Sequence, residues 1–398
     1  MRGSCRIQMP NTIHYGGDSL HKIGDVSAPL GKKALIISDE IMDGLGYVEK
    51  CKELLAEHHI QSSVYLGVHS EPTDEFVDEA LKQFQSDDCE FVISLGGGSC
   101  IDTAKAIAVL KTNPGDIGEF MGGKRLVEHE PTPHIAIPTT AGTGSEATDV
   151  TVITNTKTDV KMMIKQPAFM PTVAIVDPML TMSVPKSVTA ATGVDALSHA
   201  IEAYISKKAH PMTDAFAIAA MENILPNIKT AYDNGNNHEA REKMAIGSLQ
   251  AGIAFSNASV CLVHGMSRPI GAMFHVPHGI SNAMLLPAVL EYSQSDCVER
   301  LATIGKMFCD RGEKMTEEEY AILAVSKVKE LCSYLDIPNL KGWGIEGDVF
   351  SEVLPKMAED AINSGSPANN PKVSNQEEII ELYKRCFTYD FSESVINQ

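Results

Sequence analysis

Five short runs of β-branched and apolar residues set what the first half of this chain can fold into. Each is followed by a glycine- or threonine-rich turn and then a helical pattern. They fall at residues 34–38, 63–66, 91–95, 134–137 and 172–176. Each is too short for a helix and is bounded by breakers, so each reads as a strand. Strands alternating with helices imply a parallel sheet, because parallel neighbours need a crossover and the crossover helix covers a sheet face. Between the fourth and fifth runs the rhythm changes. Residues 150–154 and 160–164 are β-prone and flank Asn155-Thr156-Lys157-Thr158-Asp159, which is the pattern of a hairpin.

After Pro185 the strand signal stops and helical spacing takes over, notably at 240–255, 317–335 and 376–387. Thr316 with Glu319 and Ser374 with Glu377 fit capping boxes, in which side chain and backbone at a helix start satisfy each other. The expected division is an α/β domain over residues 1–185 and an all-α domain over 186–398. Charge narrows the partners: 33 basic against 52 acidic residues leave a net charge of −19, which opposes binding to nucleic acid. The nine cysteines are scattered and never spaced C-x-x-C, so they read as reduced packing residues and not as a disulfide framework or a thiolate zinc site. No N-terminal apolar segment and no stretch of about 18 apolar residues is present, so a cytoplasmic protein with no membrane partner is expected.

Two turns at the carboxyl ends of the strands suit phosphate. Gly96-Gly97-Gly98-Ser99 leads into a helix containing Asp102. Glycines let a phosphate approach the backbone, and the free N–H groups and dipole of a first helical turn favour negative charge. Three glycines alone are equally a tight βα turn. The segment Pro138-Thr139-Thr140-Ala141-Gly142-Thr143-Gly144-Ser145-Glu146 adds hydroxyls and glycines at the same end of the sheet, where α/β ligands bind. Asp39, directly after the first run, stands where an acidic residue accepts from an adenosine ribose, although an aspartate there is also an ordinary helix cap. As a set these residues favour a dinucleotide, and NAD over NADP.

The second constellation lies in the helical half. Asp195 and His199 are one helical turn apart and share a face, so carboxylate and imidazole can chelate one metal or simply hydrogen-bond. Glu202, one turn further, either orients His199 or is solvated. His264, His275 and His278 cluster among Gly, Met and Pro, where an unpartnered imidazole is costly. Three imidazoles and a carboxylate suit iron or zinc, and spacing leaves open which three of the four histidines ligate.

These segments together, with Gly193-Val194-Asp195-Ala196-Leu197-Ser198-His199-Ala200-Ile201-Glu202 and Val263-His264-Gly265-Met266 through Pro277-His278-Gly279, resemble the iron-dependent (group III) alcohol dehydrogenases over nearly the whole chain. The resemblance implies a dehydroquinate synthase-like fold, with an α/β dinucleotide-binding domain, a helical metal-binding and catalytic domain, and the active site between them. It implies Asp195, His199, His264 and His278 as ligands of Fe2+, with Zn2+ as the other candidate. It implies NAD(H) contacts at Asp39, Gly97, Gly98, Ser99, Asp102, Thr139, Thr140, Thr143, Val152, Lys161 and Leu180. The activity implied is reversible hydride transfer between a small alcohol or aldehyde and nicotinamide, in a homodimer or larger homo-oligomer. A hydroxyacid–oxoacid transhydrogenase, or an NAD-using metal-dependent lyase or cyclase of the same fold, are the alternatives. One departure stands out: many members carry a histidine four residues after the third ligand, and here that position is Arg268. His275 then becomes the candidate catalytic proton relay or a cleft-lining group, while Arg268 binds a substrate carboxylate or phosphonate or forms a surface ion pair.

Overall fold

The structure is a computed structural model that describes residues 6–158, 160–309 and 314–392; Asp159 of the expected hairpin turn and Cys5 lie outside the described residues. Six strands form one parallel sheet: β1 (Thr12–Tyr15), β2 (Lys33–Ile37), β3 (Gln61–Tyr65), β4 (Phe91–Gly96), β5 (His134–Pro138) and, after the hairpin strands β6 (Val150–Asn155) and β7 (Val160–Lys165), β8 (Val173–Val176). The order is β1-β8-β5-β4-β2-β3, and β6 and β7 pair antiparallel as a separate ribbon. The strand β1 is the one the sequence did not reveal. It is a four-residue edge strand, Thr-Ile-His-Tyr, with no fully buried residue, so it lacks the apolar run by which the others are recognised.

Both faces of the sheet are covered, as parallel sheets require. Along β2, Leu35 and Ile37 point into a core with Phe84 and Phe120, while Ala34 and Ile36 point into the opposite one with Phe91 and Ile135. This is the period-two alternation of a strand with two apolar sides. From β2 the chain moves outward to β3, then returns to place β4, β5 and β8 on the other side. The direction therefore reverses between β2 and β4, and the crevice beyond the carboxyl ends of such strands is where an α/β sheet takes its ligand.

Beyond Pro185 the described residues contain no strand. The central helix, Lys186–Ile205, is buried nearly throughout its second half, and the helices Pro211–Asp233, His238–Ala258, Leu262–Phe274 and His278–Ser293 surround it in one continuous core. Thr316 and Glu319 make the expected capping box. The second box is shifted by one residue: Asn375 and Glu378 exchange the two bonds at 2.9 Å, and not Ser374 and Glu377. Asparagine and serine cap almost equally well, so a Ser-Asn pair before two glutamates fits either register until the backbone selects one. The described cysteines form no disulfide.

The two halves meet with little tolerance. Ala174 and Val176 of β8 pack with Ala245, Leu249 and Ile253 of the His238–Ala258 helix. Gly144, with φ +60°, lies against Gly252: a Cβ on Gly144 would come within 2.6 Å of the Gly252 Cα. The threonine-rich turn is thereby seated backbone to backbone on the helical half.

Candidate active site

A cleft of about 550 Å³ runs between the two halves, walled on one side by the turns after β4 and β5 and by the hairpin, and on the other by the helices carrying the histidines. Asp195 and His199 project from the Lys186–Ile205 helix, His264 from the first turn of the Leu262–Phe274 helix, and His278 from the first residue of His278–Ser293. One potential ligand atom from each of these four lies within 4.8 Å of all the others. The packing that brings them together is tight. Gly279 sits where an added Cβ would be 2.9 Å from the Ala191 carbonyl oxygen, so a glycine here lets the two helices close. His199 is sandwiched between Phe255, stacked at 4.1 Å, and His264 at 4.3 Å.

The electrostatics suit a cation. Burial alone would push the Asp195 carboxyl up, but His199, His278 and His264 hold it well below the ordinary range. Burial pulls His199 down to about 4 and His278 to about 3, so both rings are neutral near pH 7 and offer lone pairs. Burial acts in the same direction on His264, yet Glu202 overrides it and holds that ring up. The Asn282 amide nitrogen faces three acceptors, Asp195 Oδ1 at 2.7 Å and the Nε2 atoms of His264 and His278 at 3.1 Å each. An amide has only two N–H donors, so three converging lone pairs exceed what it can satisfy. A divalent ion bound by nitrogen and carboxylate oxygen is what such a donor set fits.

Glu202 corrects the sequence reading. It neither orients His199 nor is solvated: it is 1 % exposed, accepts from Val263 N at 2.6 Å with one oxygen, and from His264 Nδ1 at 2.6 Å with the other. That bond fixes the tautomer with Nε2 free toward the other ligands. Sequence spacing could not show it, because the partner is 62 residues away. Asn282 was also missed; the signal for it is an amide four positions after His278 in the largely apolar stretch 279–290.

On the sheet side, the Gly98–Leu110 helix starts at Gly97 with no side-chain cap, and Gly98 and Ser99 face the cleft, so its first N–H groups are available to an anion. Thr143 crosses over this turn: a Cβ on Gly98 would stand 2.9 Å from its Cγ2. Asp102 is occupied as a junction, accepting from Ser145 Oγ at 2.6 Å and from Val152 N at 2.9 Å, which ties helix, threonine-rich turn and hairpin together. Beneath it Lys105, pulled down to about 8 by burial, donates to Ser145, Thr148 and the Val150 carbonyl. Lys105 received no role from the sequence, although a lysine in so apolar a helix was the available signal.

Gly98, Ser99, Asp102, Thr143, Val152, Lys161, His199, His264 and His278 line the cleft together. Lys161 forms an ion pair there with Glu71. Asp195 is buried behind the histidines. Asp39 caps the following helical turn, accepting from Met42 N at 2.9 Å, and its other oxygen faces the Cys100 thiol beside the glycine turn. Gly97 and Thr140 face each other, Thr139 is buried and bonded through its N–H to the Gly96 carbonyl, and Leu180 packs into the core beneath the sheet. His275 is not brought to the cleft: it is exposed, in a left-handed conformation (φ 54°) that ends the Leu262–Phe274 helix. Arg268, in contrast, is inside the cleft wall.

Known proteins share this fold. Residues 10–178 match the family described as "Iron-containing alcohol dehydrogenase", and residues 189–387 match "Fe-containing alcohol dehydrogenase family, C-terminal". The chain is 38% identical over 383 residues to a 1,3-propanediol dehydrogenase of Citrobacter freundii, covering 95% of this chain and 98% of that one. Among solved structures, a 1,3-propanediol oxidoreductase superposes with a TM-score of 0.92 at 36% identity, over 97% of this chain and 100% of the other. A sulfoacetaldehyde reductase from Bifidobacterium kashiwanohense in complex with NAD+ superposes with a TM-score of 0.86 at 28% identity, over 98% and 100% of the two chains.

Proposed function

The chain belongs to the iron-containing alcohol dehydrogenase family, and from that premise we propose that this oxidoreductase interconverts a small alcohol and its aldehyde in the cleft, with iron held by Asp195, His199, His264 and His278 and NAD(H) against the glycine and threonine turns. The observation that carries the assignment is the convergence of one carboxylate and three imidazoles within 4.8 Å at the wall of a cleft that also receives an uncapped helix N-terminus. The reaction removes a hydride from the carbinol carbon and a proton from its oxygen, giving aldehyde, NADH and H+. A divalent metal bound there supplies Lewis acidity toward the substrate oxygen, and zinc suits the same donors. The nicotinamide supplies the hydride acceptor.

The chain's own residues do the rest. Asp195 provides the negative charge that offsets a divalent ion, His199 and His278 are neutral by burial, and Glu202 holds His264 with Nε2 available. Backbone N–H groups at Gly97, Gly98 and Ser99, with the hydroxyls of Thr139, Thr140 and Thr143, receive the pyrophosphate. Asp39 accepts from the adenosine ribose, which disfavours a 2′-phosphate and so favours NAD; the NAD+ bound by the sulfoacetaldehyde reductase is in keeping with this. Val152 offers an apolar contact from the cleft wall, Leu180 supports the sheet from the core beneath it, and Asp102 and Lys161 hold the hairpin wall. His275 lies outside this arrangement, and we give it no part in moving the proton.

The test is anaerobic purification followed by NADH oxidation against short aldehydes, with Fe2+ or Zn2+ restored and Asp195→Ala as control. Metal-dependent oxidation that disappears in the variant is expected; metal-loaded protein inert toward every aldehyde refutes the reading. We also propose a cytoplasmic homodimer or larger homo-oligomer. Its described cysteines are free thiols, which fits a reducing compartment, closed symmetric assembly is the common state of soluble enzymes, and light scattering reads the assembly size. Among the described residues no single helix is long and apolar enough to cross a membrane.

A further inference from the structure

The inference concerns the substrate class of the same cleft and rests on the dehydrogenase reading. Arg268 follows His264 by one turn on the Leu262–Phe274 helix, so the two side chains share the face that forms the cleft wall. Of the other cations of the wall, Lys161 pairs with Glu71 and Lys165 with Asp149, while the exposed Lys208 forms no ion pair among the described residues. Arg268 has no such partner among the described residues. Its one hydrogen bond there goes from Nη1 to Ser366 Oγ at 2.9 Å. Glu202 is the nearby carboxylate that steadies its charge, but both Glu202 oxygens are already engaged by Val263 N and His264 Nδ1. A guanidinium has five N–H donors in a fixed fork that matches the oxygens of an oxyacid. Its remaining donors open into the cleft, where an entering anion can take them in place of water.

The wall beside it is built to help. Ser364, Ser366 and Asn369 line the cleft from one loop. That loop is seated on the Arg268 helix at Gly265, where a Cβ would meet the Pro367 ring at 2.7 Å, and it is pinned by the Asn369 amide, which donates to Ser259 Oγ at 3.0 Å and the Val260 carbonyl at 3.3 Å. Only a glycine at position 265 lets Pro367 approach closely enough for Ser366 to reach the guanidinium.

We propose that Arg268, with Ser366, binds an anionic group (carboxylate, sulfonate or phosphonate) at the far end of a short aldehyde or alcohol whose oxygen is directed to the histidine cluster. One helical turn, about 5.4 Å, separates the two positions, so two or three atoms between the reacting carbon and the anion span them.

The test compares charged and neutral aldehydes of matched length, succinate semialdehyde and 3-oxopropane-1-sulfonate each against pentanal, in the metal-loaded enzyme and in Arg268→Gln. Calorimetry with propane-1-sulfonate, which cannot react, is run on both proteins in the presence of NAD+. Wild type is expected to favour the charged aldehyde in kcat/KM by about tenfold or more, and Arg268→Gln to lower that ratio by roughly 10–100-fold, as for loss of a hydrogen-bonded charge pair. Sulfonate binding falls by a similar factor. If Arg268→Gln fails to fold, Ser366→Ala keeps the cation and lowers the same ratio by about threefold to tenfold. Equal ratios in wild type and in the variant that folds overturn the inference and leave the dehydrogenase reading intact. Sulfonate binding that depends on Arg268, with no aldehyde turned over, upholds the anion site and overturns the dehydrogenase reading.

Discussion

Replacing Glu202 with glutamine tests the metal centre without touching a proposed ligand. The native carboxylate only accepts, once from Val263 N and once from His264 Nδ1, each at 2.6 Å and shielded from water. A glutamine has one accepting oxygen and one donating nitrogen. If its oxygen keeps the Val263 N–H, its NH2 group faces Nδ1, and His264 must move its proton to Nε2, the atom proposed to bind metal. If it is turned the other way, two donors confront each other at Val263. Either arrangement weakens the site, and loss of such a supporting partner costs about 10–100-fold in metal affinity, or roughly 1.4–2.7 kcal/mol. The assay is competition for Zn2+ or Fe2+ against a chromophoric chelator, with circular dichroism to verify folding. A folded Glu202→Gln protein whose metal dissociation constant lies within twofold of wild type would refute the reasoning.

Other substitutions probe the remaining parts. Gly252→Ala places a Cβ 2.6 Å from the Gly144 carbonyl oxygen, so the threonine-rich turn must shift; KM for NAD should rise by about tenfold, with a loss of roughly 1–3 kcal/mol in stability by denaturant titration. An unchanged KM would show that the turn does not touch the cofactor. His275→Ala should leave kcat within about twofold, since the residue is an exposed helix end; a large drop in steady-state turnover would return it to the mechanism. Burial, with a smaller push from Lys105, lowers His134 from an ordinary value near 6.5 to about 3. The unfolded chain therefore binds a proton that the folded one refuses, and stability, complete above pH 6.5, falls as pH drops toward 3. The slope from this group approaches about 1.4 kcal/mol per pH unit. Urea titrations across that range should show a shallower acid limb for His134→Gln, and parallel limbs would exclude His134 as the cause.

The local chemistry of the chain was open to reading in the sequence wherever one element carries it. Five of the six sheet strands, the hairpin, the glycine turn opening a helix, and the Asp195–His199 pair all follow from runs and spacings a few residues long. Near-equivalent residues blur such signals by a position, as at Ser374 and Asn375, and a half-exposed edge strand such as β1 gives none. What spacing left open, which histidines share a site with Asp195, was decided by tertiary packing. The Lys186–Ile205 helix must close on Gly279 before His278 can join the others, whereas His275, three residues earlier, is turned outward by the left-handed end of its helix. Glu202 meets His264, 62 residues away, Asn282 meets Asp195, 87 away, and Arg268 meets Ser366, 98 away. Such contacts form because a core can be closed in few ways, and a sequence pattern with a period of two or 3.6 residues carries no record of them.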